Sequence, residues 1–169
     1  MKEYYLELKT KSQFITNHFF SNFNELRWID YCGFLTARFS NDLISEEPAL
    51  VALDKKFKIE SIGVVMLLPN KSYLWHVDQK RGLSINMLLS YDHVSHSVFG
   101  DFGQRPSREQ VDIKELEYKK DTFYVFNTQK PHTVFNFNGS RYLFTVEFVK
   151  PKTELVYNQV RDFALTSNL

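Results

Sequence analysis

From Ile59 onward the chain is divided into short strand-like pieces by turn residues, and that rhythm constrains its fold more than any other feature. Residues 59–68 are β-branched and apolar and stop at a Pro69-Asn70 turn. Residues 72–76 follow, then a polar turn through Gln79, Lys80, Arg81 and Gly82. Further segments run over 83–90, 94–99, 113–118, 122–126, 132–137 and 141–148. This spacing predicts a mainly β protein, a two-sheet sandwich or barrel. The aromatic share of 16%, with 16 Phe and 9 Tyr, suits strands better than a helical bundle.

Residues 1–58 read differently, as helix and loop after a short strand-like start at 4–8. Ser12 is placed to cap a helix running to Phe20, with Ile15, Phe19 and Phe23 on one face. The stretch from Asn41 to Pro48 breaks the chain before a short helix over 49–56. The tail, 151–169, reads as an extended arm and a short helix. At 169 residues, one domain with one core is expected. In it, 1–58 form an N-terminal helical and loop support, 59–149 the β core, and 150–169 a C-terminal tail.

The chain carries 21 Lys and Arg against 20 Asp and Glu, a net charge of +1, which gives no bulk electrostatic reason to bind nucleic acid or an anionic membrane. Cys32 is the sole cysteine, so an internal disulfide and a thiolate-rich metal site are both excluded. The first residues lack an apolar signal core, and no apolar run approaches the ~20 residues of a membrane span. A soluble, cytoplasmic protein is the expectation.

Polar residues in otherwise apolar strands are the candidates for chemistry. His76 and Asp78 end the second segment two positions apart, and an extended chain points such a pair to one side. Together they make part of a metal site, for which His93, His96 and His132 compete to supply a further ligand. His93 and His96 are three apart, which puts them on opposite faces of a strand and marks them as rim or surface residues. His132 follows Pro131 at the start of a strand, and Asn138-Gly139 predicts a tight hairpin that carries Arg141 onto the adjacent strand. Such a cation can pair with a carboxylate whose other end chelates the metal. Asn86 divides between a pocket role and a structural hydrogen bond, and Asn136 between stabilising the hairpin and supporting a metal ligand from behind. Trp75 reads as core packing, and His18 as an ordinary surface or packing histidine. Lys80 and Arg81 read as a cationic lip that draws an anionic substrate, and 100–106 as a substrate loop.

His76-x-Asp78, then His132, then Arg141, spread over eight short strands, resembles the Fe(II)/2-oxoglutarate-dependent dioxygenases, in particular their prolyl and aspartyl hydroxylase-like branches. The resemblance covers about residues 59–149 and implies a double-stranded β-helix, the cupin-like jelly roll, with N-terminal helices added. It implies that His76, Asp78 and His132 bind Fe(II) on one face, leaving positions for 2-oxoglutarate and O2. Arg141 would hold the distal carboxylate of 2-oxoglutarate. The implied reaction releases succinate and CO2 while hydroxylating a C–H bond of an amino acid, a peptide side chain or a small metabolite. Many members of the family carry Ser or Thr two positions after the Arg; here that residue is Leu143, so Tyr73, Asn86 or Thr145 is the candidate helper. The runner-up reading is a cupin-like metalloprotein or enzyme that does not use 2-oxoglutarate.

Overall fold

The computed structural model describes residues 4–100 and 112–169. Strand β1 (Tyr5–Lys11) leads into helix α1 (Gln13–Ser21). The Ser12 hydroxyl caps α1 by accepting the Ile15 N–H at 3.2 Å, and Ile15 and Phe19 are fully buried, as the helical spacing predicts. Strands β2 (Ile29–Tyr31) and β3 (Phe34–Arg38) come next, where helix and loop were expected. They join through Cys32 and Gly33, both in the left-handed region at φ 54° and 86°, which suits a two-residue hairpin turn. Neither strand is apolar enough to announce itself. β3 exists because it pairs with the strand that follows, Leu35 opposite Met66 and Ala37 opposite Val64.

Helix α2 (Leu43–Glu46) occupies the expected break, and α3 (Pro48–Phe57) starts on a proline that has no N–H to lose there. The buried Glu47 carboxylate caps α3 at the Ala49 N–H and also accepts the Ser12 hydroxyl, joining the starts of two helices. Then come the eight expected strands: β4 (Ile59–Leu67), β5 (Lys71–His76), β6 (Ser84–Leu88), β7 (Val94–Gly100), β8 (Ile113–Leu116), β9 (Thr122–Phe126), β10 (His132–Asn138) and β11 (Arg141–Phe148). Helix α4 (Tyr157–Thr166) ends the order. The loop read as substrate-facing lies, beyond Gly100, outside the described residues.

One sheet has the order β1-β9-β6-β11-β4-β3-β2 and the other β5-β10-β7-β8, with every pairing antiparallel. Between β4 and β7, and again between β8 and β11, successive strands alternate between the two sheets, which is the winding of a double-stranded β-helix. That winding corrects the hairpin expected at Asn138-Gly139. Gly139 does turn the chain, at φ 62°, but β10 pairs with β5 and β7 while β11 pairs with β4 and β6. The turn is a crossing between sheets. Asn136 holds this corner by donating to the carbonyls of Leu67 and Leu68, each at 2.9 Å, and of Gly139 at 3.0 Å.

The central strands β6 and β9 of the larger sheet are buried on both faces. Ile62, Val64, Ile85, Met87, Phe144 and Val146 pack with Phe19, Leu50, Leu53 and Val160 from α1, α3 and α4. Each such side chain contributes roughly 1.5–3 kcal/mol of burial. The alternate residues, Ser84 and Asn86 on β6 and Arg141, Leu143 and Thr145 on β11, turn to the space between the sheets and line a cavity. Trp75, expected in the core, is 39% exposed on β5, an edge strand.

Candidate metal centre

His76 closes β5 and His132 opens β10, and the two strands pair so that these histidines stand directly opposite one another. Their ring centroids are 4.2 Å apart. Asp78 follows in the chain beyond β5, where its N–H donates to the Thr128 carbonyl at 3.0 Å. Asp78 Oδ1 lies 3.4 Å from His76 Nε2 and 3.8 Å from His132 Nε2. The three ligand atoms all fall within 4.8 Å of one another, and among the described residues no other trio of such side chains converges. Ligands about 2.1 Å from one ion and at right angles would stand about 3 Å apart, so the trio needs little adjustment to hold one.

The orientation of both rings is set from behind. His76 Nδ1 meets the Leu74 carbonyl at 2.7 Å and His132 Nδ1 meets the Lys130 carbonyl at 2.8 Å. A carbonyl can only accept, so each Nδ1 carries the proton and each Nε2 keeps a free lone pair toward Asp78. Burial, followed by the neighbouring His76, pushes the His132 pKa down to about 4 against the opposing pull of the Lys130 carbonyl and Asp78, which keeps the ring neutral. Asp78 goes the other way. Burial would raise its pKa, but the adjacent His76 ring and the Arg81 cation together prevail and bring it to about 2.

Arg141, 3% exposed, lines the same cavity beside Ser97, whose partner Val134 stands two residues along β10 from His132. Its guanidinium donates to Ser97 Oγ at 2.9 Å and sits 5.6 Å from the centre of the Tyr118 ring. Two buried polar atoms there lack any hydrogen-bond partner, Arg141 Nε and the Tyr118 hydroxyl, and Asn86 Oδ1 is a third on the cavity wall. Burial raises the Tyr118 pKa, and the adjoining Arg141, Asn86 and Ser97 only partly offset it, none of them completing a hydrogen bond of normal geometry. A buried cation with an idle N–H beside an idle hydroxyl is an incomplete anion site.

Tyr73, Asn86 and Thr145 all line this cavity. Tyr73 packs edge-on against His76 at 4.3 Å and against Phe34 at 5.3 Å, while the direct neighbours of Arg141 are Ser97 and Tyr118. Neither Ser97 nor Tyr118 stands out in the sequence. The available signal for Tyr118 is its place in a charged stretch, between Glu117 and Lys119, where an aromatic side chain has to turn inward. Arg81 also lines the cavity, but it is not the free cationic lip expected from its sequence. Its guanidinium binds Asp78 Oδ2 and reaches Glu147 at 3.6 Å. His93 and His96 stay apart: His93 bonds Ser90 and Ser95, and His96 pairs with Glu115.

No protein-family model and no curated protein matches the chain by sequence. Solved structures do match. A 2OG-Fe(II) oxygenase-family oxidoreductase from Burkholderia pseudomallei superposes with a TM-score of 0.59 at 12% identity, covering 85% of this chain and 82% of its own. A prolyl hydroxylase from Trichoplax adhaerens, in complex with a hypoxia inducible factor peptide fragment, gives 0.60 at 12% identity and the same coverage, 85% and 82%. The chain has the fold of these oxygenases. HygX from Streptomyces hygroscopicus, with nickel, 2-oxoglutarate and hygromycin B bound, gives 0.59 at 9% identity, covering 84% of this chain and 81% of its own. No helix among the described residues is long and apolar enough to cross a membrane.

Proposed function

We propose that the chain is an Fe(II)- and 2-oxoglutarate-dependent oxygenase that hydroxylates a C–H bond of an amino acid, a peptide side chain or a small metabolite. The observation that carries this reading is the pairing of two half-sites in one cavity. Three metal-competent atoms, from His76, Asp78 and His132, stand at one end, and a buried Arg141 with an idle Nε stands at the other. A dicarboxylate with a 2-oxo acid group fits both, chelating a metal through one end and answering the unpaired donors through the other. The donor set suits the metal: two neutral imidazoles and one carboxylate leave open positions on an octahedral ion, where a closed structural zinc site would fill its fourth place with protein.

In this reading His76 Nε2, His132 Nε2 and an Asp78 oxygen hold Fe(II), and Leu74 and Lys130 fix the two rings through their carbonyls. Arg141 and the Tyr118 hydroxyl bind the distal carboxylate of 2-oxoglutarate, with Ser97 holding the guanidinium in place. Tyr118 takes the place of the Ser or Thr that Leu143 lacks. When bound, the metal and 2-oxoglutarate supply the oxidising chemistry, with O2 as oxidant and succinate and CO2 as products. The chain's own part is orientation and exclusion of water. Phe99 and Phe126 close the cavity behind His132, at 6.0 Å and 4.9 Å between ring centroids. Peptide-binding and small-molecule-binding neighbours both share this fold, so substrate classes of both kinds belong in the test. Succinate release from 2-oxoglutarate, measured across a panel of peptides and metabolites, is expected to require Fe(II) and to rise with the true substrate. Metal binding without any turnover of 2-oxoglutarate would instead favour a cupin-like protein of other chemistry.

A further inference from the structure

A carboxylate that binds a metal has two oxygens, and whether one or both reach the ion decides how many positions remain for chemistry. In Asp78 the two oxygens have different neighbours. Oδ1 faces both imidazoles, at 3.4 Å and 3.8 Å, whereas Oδ2 is held by Arg81 Nε. Arg81 is itself anchored. Its carbonyl accepts from Thr128 Oγ1 at 2.8 Å and from Gln129 Nε2 at 2.9 Å, and its guanidinium reaches the Glu147 carboxylate at 3.6 Å. The Asp78 carbonyl takes bonds from Gln129 at 2.9 Å and Lys152 at 3.3 Å, so the whole 78–81 turn is fastened from three segments.

We propose that Arg81 is a positioning residue that occupies Asp78 Oδ2 and thereby restricts Asp78 to binding the metal through Oδ1 alone. The inference rests on the metal reading above and adds a residue which that reading does not need. With Oδ2 engaged by a planar guanidinium, the carboxylate cannot turn to chelate, and a coordination position stays open. Two effects of removing Arg81 oppose each other, which makes the sign informative. Loss of a neighbouring cation alone strengthens binding of a dication, while loss of the group that orients a ligand weakens it. Removing outer-sphere partners of metal ligands typically weakens binding about 10- to 100-fold, so weakening is expected to win.

The test is anaerobic Fe(II) affinity, by competition with a chelating dye, for wild type, Arg81→Gln, Arg81→Lys and Glu147→Gln, together with the visible absorption of the Co(II)-loaded proteins. Arg81→Gln is expected to bind Fe(II) about 10-fold or more weakly and to shift the Co(II) spectrum as Asp78 changes its mode of binding. Arg81→Lys keeps the charge without the planar fork and is expected to fall between it and wild type; if Arg81→Gln does not fold, Arg81→Lys decides the matter alone. Glu147→Gln, which weakens the 3.6 Å contact to Arg81 and leaves an amide oxygen to accept from the Ser61 hydroxyl, is expected to stay near wild type. Arg81 variants with unchanged or tighter affinity and an unchanged spectrum would overturn the inference while leaving the metal reading intact. A wild-type protein that binds neither ion would overturn both.

Discussion

The two ends of the cavity are built on opposite terms. At the metal end the polar groups already have partners: both Nδ1 atoms meet carbonyls, Asp78 holds Arg81, and Thr128, Gln129 and Lys152 fasten the turn. At the Arg141 end they do not, and Arg141 Nε and the Tyr118 hydroxyl are buried and idle. One end is organised before anything arrives, and the other stores an unsatisfied cation that a carboxylate would complete. A buried charge without full pairing costs stability, and the carboxylate binding proposed for the Arg141 end accounts for that cost.

Substitutions that treat the two ends separately test this contrast. The largest effect is expected at the metal end: His76→Ala, Asp78→Ala or His132→Ala removes a ligand and abolishes stoichiometric Fe(II) binding and succinate formation, read by elemental analysis and product assay. Full turnover in any of the three would displace the site. Arg141→Met comes next and divides the two ends. Its Fe(II) content is expected to match wild type while the 2-oxoglutarate requirement rises about 10- to 100-fold, since a bond to a charged group contributes about 1.5–3 kcal/mol. The ligand-free variant is expected to melt no lower than wild type, because the substitution removes a buried charge that lacks a full set of partners. A clear fall in its melting temperature would mean that Arg141 serves the fold.

Tyr118→Phe is a smaller version of the same test. Its hydroxyl has no partner to lose, so stability is expected to hold while 2-oxoglutarate binds about 10-fold more weakly, the low end for a hydrogen bond to a charged group. Unaltered binding would assign the carboxylate to Arg141 alone. The smallest effect on chemistry is expected from Asn136→Ala, away from both ends. It strips three carbonyls of a donor at the crossing between sheets and is expected to cost about 1–3 kcal/mol in denaturant unfolding with metal affinity kept.

Much of this was legible in the sequence because it took the form of exceptions. His76-x-Asp78 sits where a strand gives way to a turn, and Asn86, His132 and Arg141 are polar residues in apolar strands, where a buried polar group calls for a partner. The eight core strands were equally plain, since Pro69, Asn70 and Gly139 mark turns that local backbone chemistry favours. What could not be read depends on contacts distant in the chain. β3 is a strand because β4 lies beside it, and Gly139 crosses between sheets because β11 finds β4 and β6 as partners. Ser97 and Tyr118 gain meaning only when β7 and the segment after β8 bring them to Arg141. Arg81 reads in the sequence as a cation at the mouth of the site, and only the folded turn shows it bound to Asp78.

Whether one ligand bridges the two ends can be read by titrating anaerobic Fe(II)-loaded protein with 2-oxoglutarate and following visible absorption. A saturable metal-to-ligand charge-transfer band is expected in the wild type, reached in Arg141→Met only at much higher 2-oxoglutarate. No band in a protein that holds its iron, or a band with the same affinity in both proteins, would contradict the bridge.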